Sequence, residues 1–465
     1  MNKNVTVVIL AAGLGTRMKS KRAKVLHEAG GDTLLNHVIR AALQVAPAER
    51  IVAVVGYQAE EVRKSVRFSG VRFAEQAEQK GTGHAVLCAR SSVETQQGQL
   101  LILNGDGPLL RASTLEKLLE SASEPGLGGA ILTTEVADPT GYGRILRNAQ
   151  GNIAAIVEQK VATADQQKIR EINPGVYCFQ AGAFWRHIGE VTANNPANEY
   201  YLTDMIEILT GHGHPVKPVL IADETELLGI NTRVELAVAD KILRTRKTSE
   251  LMLAGVTIES PETVTIDADV EVGTDTVVEA NVQLRGRTRI GSECRIGTGS
   301  VFWNCEIGDR VMILPYVVAE SSSVGRAASI GPFSRLRAGV NAEEATHIGN
   351  FVELKNTRLG AGSKASHLTY LGDSTIGATV NVGAGTITCN YDGHKKHRTD
   401  IEDNVFVGSN STLVAPVRIG EGAFIAAGSV ITNNVESDSL AIGRARQTDK
   451  SGWAAKRREI AKREE

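Results

Sequence analysis

The five cysteines of this 465-residue chain, Cys88, Cys178, Cys294, Cys305 and Cys389, include no pair spaced C-x-x-C. So odd and scattered a set argues against a disulfide framework or a cysteine zinc site and suits a reducing compartment. An excess of charge of either sign is also missing, with 51 Lys plus Arg against 53 Asp plus Glu. No global field therefore draws nucleic acid or an anionic membrane. Apolar runs fall short of the roughly 18 residues that a membrane span needs, and no basic-apolar leader precedes the first strand. A soluble, cytoplasmic protein is the expectation. Two phosphate-binding fingerprints are absent as well. In "VTVVILAAGLGTRM" the third glycine of G-x-G-x-x-G would fall at Met18, and the P-loop pattern fails after Gly13.

What this stretch does hold is a continuous apolar run, then Gly13-Leu14-Gly15-Thr16-Arg17. The run reads as a buried parallel strand, and the turn as a loop whose backbone N–H groups can wrap an anion beside a cationic side chain. Up to about Asp240, short apolar runs ("RIVAVVG", "LLILNGD", "GGAILTTEV") alternate with helical ones ("TLLNHVIRAALQV", "TLEKLLESA"). That alternation predicts a mostly parallel sheet covered by helices, with ligands outside the carboxyl ends of its strands. The Gly13 loop, Asn104-Gly105-Asp106 and Gly229-Ile230-Asn231 all follow such strands. "TRVELAVADKILRTRKTSELMLAG" reads as a helical connector. The length implies two domains, here 1–232 and 254–465 joined by helix 233–253.

From Ile266 the period becomes six. Ile266, Val272, Val278, Leu284, Ile290 and Ile296 share one register; Val324, Ile330, Leu336, Ala342, Ile348 and Leu354 share a second; Val407, Leu413, Ile419, Ile425 and Ile431 share a third. Neither a helix nor a simple sheet gives that period, whereas a β-solenoid with short flat faces does. Each apolar residue points inward, and the glycine that often follows it is expected at a corner of unusual backbone conformation. The register breaks between Leu354 and Ile376 and again between Val382 and Val407, where loops are expected to leave the coil and build a functional surface. The closing "KSGWAAKRREIAKREE" alternates in charge and reads as solvated.

Taken together, "VILAAGLGTRM", "AEQKGTGHA", "NGDGPL", "DPTGYGRI", "GINTR", "GPFSRLRAG", "GNFVELK", "SHLTYLGD" and "GAGTITCNYDG" cover nearly the whole chain. They resemble the bifunctional bacterial enzymes that make UDP-N-acetylglucosamine, a precursor of peptidoglycan and lipopolysaccharide. The resemblance implies a Rossmann-like α/β nucleotidyltransferase domain followed by a left-handed parallel β-helix of hexapeptide repeats, assembled as a homotrimer. It implies acetyl transfer from acetyl-CoA to glucosamine-1-phosphate in the second domain. Uridylyl transfer from UTP to N-acetylglucosamine-1-phosphate, with release of pyrophosphate, follows in the first.

Bringing two polyanions together calls for positioning and charge neutralisation. Arg17 and Lys24 suit that role, and the backbone of Leu10, Ala11, Ala12, Gly13 and Gly15 suits the triphosphate. Asp106 at a strand end is the natural ligand of a hard cation, and the resemblance pairs it with Asn231 on Mg²⁺. Gln76 and Gln79 can present donor and acceptor groups to a base edge while Gly81 and Thr82 admit close backbone approach; the resemblance assigns all four to the uridine pocket. It also assigns Gly143, Glu158 and Asn173 to the sugar. His84 reads as a helix residue. Ala23 stands where the family has proline, which is expected to loosen the Lys24 loop; Asn104, Gly107 and Pro174 depart from the pattern too.

Acetyl transfer needs a proton acceptor, and His367 has the right ordinary pKa for it. The resemblance places Arg337, Lys355, Tyr370 and Asn381 on the sugar phosphate, with Asn390 completing that pocket. It places the Tyr391 amide near the oxyanion, and Ala384, Ser409, Ala427 and Arg444 along acetyl-CoA. Lys396 receives no role. A pyrophosphorylase with a scaffolding solenoid, and a non-catalytic assembly protein, remain the alternatives.

Overall fold

The computed structural model describes residues 4–93, 97–149 and 151–464. It divides into two compact units, Met1–Arg246 and Lys247–Glu465.

In the first unit, Val5–Ala11 (β1) is buried almost end to end, as a strand covered on both faces must be. Ile51–Val55 (β2), Arg72–Glu75 (β3) and Gln99–Asn104 (β4) join it in parallel, in the spatial order β3-β2-β1-β4. Beyond β4 the direction changes. Gly129–Glu135 (β5), Gly143–Arg147 (β6), Ile153–Val157 (β7), Glu171–Asn173 (β8) and Tyr177–Gln180 (β9) continue the sheet antiparallel as β9-β5-β8-β6-β7. Val216–Leu220 (β10) adds parallel to β5. The parallel part is the Rossmann-like half, and it alone carries the glycine loop.

Helices Leu34–Ala42 (α1), Ala59–Ser65 (α2), Thr82–Cys88 (α3), Ala112–Ala122 (α4), Ala181–His187 (α5) and Asp204–Gly211 (α6) cover this sheet. Val7 and Ile9 pack with α1 and α4, whereas Val8 packs with α3, α5 and α6. That one strand feeds two cores explains why its sequence is apolar at every position. Arg233–Leu253 (α7) runs through the division between the units.

The second unit is a three-faced coil. Two-to-four-residue strands stack in parallel into sheets of eleven, ten and nine strands among the described residues; these are the first, second and third faces, starting at Thr257–Ile258, Thr265–Ile266 and Glu271–Val272. Ile266, Leu284, Phe302, Ala319, Leu336, Leu354 and Leu371 form one inward column, all nearly or fully buried. Coil length accounts for both register breaks. Leu336 to Leu354 spans 18 residues, but Leu354 pairs with Leu371 and Leu359 with Ile376, each 17 residues on. The first break is thus two one-residue contractions, Leu354 to Leu359 and Leu371 to Ile376, and no loop leaves there. Between Ile376 and Ile401 the step is 25 residues, and the excess forms a projecting turn closed by a Tyr391–Lys396 bridge. From Ile266 on, the contractions and the long insertion fall at the corner after the second face.

The glycines that follow inward residues have a different cause from the expected one. Of Gly273, Gly291, Gly297, Gly325, Gly331, Gly349, Gly377, Gly383, Gly408 and Gly420, only Gly331 has a positive φ; left-handed corners are instead held by residues such as Asp275, Arg310, Phe333 and Leu368. A Cβ on Gly325 would lie 2.5 Å from the Glu344 backbone N, and one on Gly408 2.5 Å from that of Ala427. Close approach of the next coil excludes side chains there. The tail forms an exposed helix, Trp453–Glu464 (α8), and its final glutamate lies outside the described residues.

Candidate active sites

The first unit has a cleft of about 780 Å³ at the carboxyl ends of its parallel strands, lined by Leu10 to Gly13, Arg17, Lys24, Gln76, Gln79, Gly81, Thr82, Asp106 and Glu158 among others. Strand register makes this convergence: β1 places Leu10 opposite both Val54 and Asn104, so the turns after β1, β2 and β4 open side by side. Gly15 adopts φ +62°, and a Cβ on it would lie 2.6 Å from Lys24 Cβ, while Gly13 has open space around it. Gly15 therefore lets Lys24 fold back over the loop, and Gly13 leaves the backbone approachable.

The Lys24 ammonium donates to the Asp106 carboxylate and, at 3.1 Å, to Asn231 Oδ1; Arg17 also donates to Asn231 Oδ1, at 2.7 Å. Asn231 is fixed by the start of α7. Glu235 accepts from the Asn231 and Thr232 amides at 2.6 and 2.8 Å, and its own N–H donates to Thr232 Oγ1 at 3.2 Å. This capping box, T-x-x-E, holds Asn231 in place. One ammonium reaching both residues shows that a carboxylate and an amide oxygen converge beside an open cleft. Such a donor set fits a divalent cation that keeps waters or phosphate oxygens for its other positions.

Ala23 has φ −55°, close to the value a proline would impose. Its N–H donates to Gln58 Oε1 at 2.6 Å. A hydrogen bond thus holds Ala23 at the angle that a proline ring would impose. Two other departures meet each other, since Asn104 Nδ2 donates to the Pro174 carbonyl at 3.1 Å.

Gln76 is buried, and its amide N–H donates to the Gly81 carbonyl at 3.0 Å, so it shapes the loop as well as lining the cleft. Gly81 has φ +100°, and a Cβ there would meet the Tyr200 carbonyl. Thr82 Oγ1 accepts from the Leu202 amide at 3.0 Å, tying 81–83 to 200–202. His84 lies in α3 and contacts Gln76 and Cys88. Asn173 donates to Tyr177 Oη at 2.7 Å and accepts from Gly175 N at 3.0 Å. A Cβ on Gly143 would lie 3.6 Å from Glu158 Oε1 and 3.7 Å from Asn173 Cβ, so these three adjoin. Burial pushes the Glu158 carboxyl up, the Thr203 hydroxyl opposes this, and Asp204 and Glu199 add to it. Thr16, Glu199 and Tyr201 also line the cleft, and spacing offered no signal for them.

In the solenoid, His367 ends a first-face strand, and its Nδ1 lies 2.6 Å from Asn350 Oδ1 one coil earlier. Lys355 ends a second-face strand at the next corner, and Arg337 directly follows the strand Arg335–Leu336 of that face. Arg337 donates to Glu353 at 3.2 Å and Lys355 to Asp373 at 3.2 Å. Asn356 donates to Asp373 at 2.8 Å, and Asn390 donates to it too. Burial pushes the Asp373 carboxyl up, but these donors more than reverse it and leave it low. A hydrogen bond with Lys396 raises Lys355 and lowers Lys396. Lys396 thus belongs to this cluster, reached only because the inserted turn folds back. A Cβ on Gly372 would lie 2.5 Å from Tyr370 Oη and 2.8 Å from Asn390 Nδ2, so Tyr370 reaches across the second face. About 10 Å of extended chain separates the corner of His367 from that of Lys355.

Asn381 stands apart on the first face, between Lys364 and Phe406. Ala384, Ser409 and Ala427 stack on successive coils: Asn410 N donates to the Ala384 carbonyl at 2.7 Å and Gly428 N to that of Ser409 at 2.8 Å. A Cβ on Gly428 would lie 3.7 Å from Arg444 Cδ, so Arg444 adjoins the column. Tyr391 is exposed in the inserted turn.

Residues 7–172 match the MobA-like NTP transferase domain family, and residues 398–433 match bacterial transferase hexapeptide (six repeats). The protein named Bifunctional protein GlmU of Solibacter usitatus is 55% identical over 462 residues, 99% of each chain. Those of Koribacter versatilis and Streptococcus agalactiae serotype V are 50% and 44% identical, over 98% and 97% of each chain. The chain belongs to the GlmU family. Its three-sheet coil is accordingly the left-handed parallel β-helix, and both transferase folds sit in one polypeptide.

Proposed function

We infer that this chain is a bifunctional transferase that makes UDP-N-acetylglucosamine in two steps, acetylating glucosamine-1-phosphate and then uridylylating the product. The convergence of Lys24, Arg17, Asp106 and Asn231 at the glycine loop carries the second step. Residues 1–232 form the uridylyltransferase, 233–253 the connector and 254–465 the acetyltransferase.

In uridylyl transfer, the loop amides around Gly13 and the Arg17 and Lys24 cations neutralise the triphosphate. Gly143, Glu158 and Asn173 seat the sugar so that its phosphate oxygen faces the α-phosphorus from the side opposite pyrophosphate. Asp106 and Asn231 hold Mg²⁺, which when bound adds charge neutralisation at the phosphates.

For acetyl transfer, Asn350 Oδ1 accepts from Nδ1–H of His367, which leaves Nε2 as the base for the amine. Arg337, Lys355 and Tyr370 bind the phosphate end of the sugar. The Ala384–Ser409–Ala427 column takes acetyl-CoA, with Asn390, Tyr391 and Arg444. A homotrimer in the cytoplasm accommodates this layout, because Lys355, His367 and Asn381 lie on three successive coils rather than in one pocket of a single coil. An exposed aromatic column supports assembly: Tyr316, Phe333 and Phe351 stack at 5.1 and 5.5 Å on the corner that continues to Leu368.

The deciding test supplies glucosamine-1-phosphate, acetyl-CoA, UTP and Mg²⁺ and follows CoA and pyrophosphate separately. CoA is expected without UTP, pyrophosphate only after acetylation, and His367→Ala is expected to abolish CoA release alone. Pyrophosphate from pre-acetylated sugar with no CoA release at all would make the solenoid a scaffold.

A further inference from the structure

A second cluster of metal-ligating side chains lies among the helices that cover the first unit's sheet. Ten histidines are spread over 465 residues, yet His187, His212 and His214 gather in one place. His187 ends α5, Glu190 lies in the following turn Ile188–Glu190, and His212 caps the C-terminus of α6. The His187 and His212 rings stack with centroids 4.0 Å apart, and the His214 ring is 6.3 Å from that of His187. Both stacked rings turn a nitrogen toward the same carboxylate: His187 Nδ1 is 2.7 Å from Glu190 Oε1, and His212 Nε2 is 2.9 Å from Glu190 Oε2. One ligand atom from each of the three lies within 4.8 Å of the others.

We propose that His187, Glu190 and His212 form a second metal site, for Zn²⁺ or a similar borderline transition ion rather than Mg²⁺. Two imidazoles and one carboxylate are a zinc donor set with a fourth position left to water, whereas Mg²⁺ takes oxygen donors and dehydrates reluctantly. Preorganisation favours the site. His187 is 8% exposed and fixed by packing, while the half-exposed Glu190 and His212 can close the roughly 2.0–2.2 Å bonds with small rotations. The ion would staple the ends of α5 and α6 together. Those helices already pack through Phe184, Met205 and Ile206 in one core, and residues just before α6 reach the cleft, where Tyr201 is a lining residue. The site is thus a structural clamp behind the uridylyl cleft.

Calorimetric titration with Zn²⁺, in a buffer already holding excess Mg²⁺, tests this on the full-length protein. A Co²⁺ titration read by visible absorbance reports ligand geometry independently. Loss of an outer partner of a metal ligand costs about 10–100-fold in affinity, so losing a ligand should cost at least that. One Zn²⁺ per chain is expected in the wild type, with that event weakened tenfold or more in His212→Ala and in Glu190→Gln. Both residues are half exposed, so the variants retain the fold, and circular dichroism verifies it. Pyrophosphate release in Mg²⁺ alone should be unchanged in both, which separates this site from the Asp106–Asn231 pair. Identical Zn²⁺ titrations of wild type and both variants, or no binding at all, would overturn the proposal and leave a hydrogen-bonded clamp.

Discussion

Ala23 illustrates how a single residue carries the same constraint in another form. Its backbone already has a proline-like φ, and Gln58 supplies through one hydrogen bond what a ring would supply covalently. Gln58→Ala should therefore free the Lys24 loop and lower kcat/KM for pyrophosphate release by about 10–100-fold. Ala23→Pro in that background should restore much of the loss, because the proline needs no partner. Failure of the rescue would mean that Gln58 acts by some route other than this loop.

Glu158 makes a second prediction at the same scale. Burial raises its folded-state pKa above the ordinary 4.5, so the buried charge costs stability wherever it is ionised. That cost is full above the folded pKa and disappears below the unfolded one. Glu158→Gln should thus be more stable than wild type at pH 7–8, with the advantage fading as pH falls toward about 4.5, while sugar-dependent turnover drops. Thermal midpoints measured across pH decide it; a constant difference would refute the assignment.

Coil spacing governs the solenoid at the level of elements. Gly325 and Gly408 are glycines because the next coil's backbone occupies the space of a Cβ. Backbone held in a parallel ladder cannot step aside, so Gly325→Ala should cost about 1–3 kcal/mol of overpacking. The loss should appear in denaturant unfolding of the second unit and leave pyrophosphate release from pre-acetylated substrate unchanged. The hexapeptide period revealed the coil, whereas it could not distinguish a 17-residue coil from a loop. Leu354 to Ile376 therefore read as a break, although the chain simply contracts by one residue in each of two coils. By the same blindness, the antiparallel strands β6 to β8 left no clear signal, being short and flanked by polar loops.

For the whole molecule, the two chemistries should separate by condition. Chelation with excess EDTA should abolish pyrophosphate formation and spare CoA release, because metal is assigned only to Asp106 and Asn231 for catalysis. Dilution below the assembly constant should do the reverse, lowering CoA release per chain while uridylyl transfer persists. Sedimentation run in parallel with both assays checks this; loss of both activities together on dilution would tie the first unit to assembly as well.

Much of this was written in the linear chain, and for a physical reason. Period-six burial and the strand-then-glycine turn follow from local geometry, so a parallel α/β domain and a β-solenoid were readable from spacing, while the family and most cleft residues came from the resemblance that the motif string carries. Asn350 beside His367, Lys396 beside Lys355, Gln58 on Ala23, and the His187–Glu190–His212 cluster were not. Each of those contacts joins residues on different turns, coils or helices, and only packing brings such groups within hydrogen-bond distance.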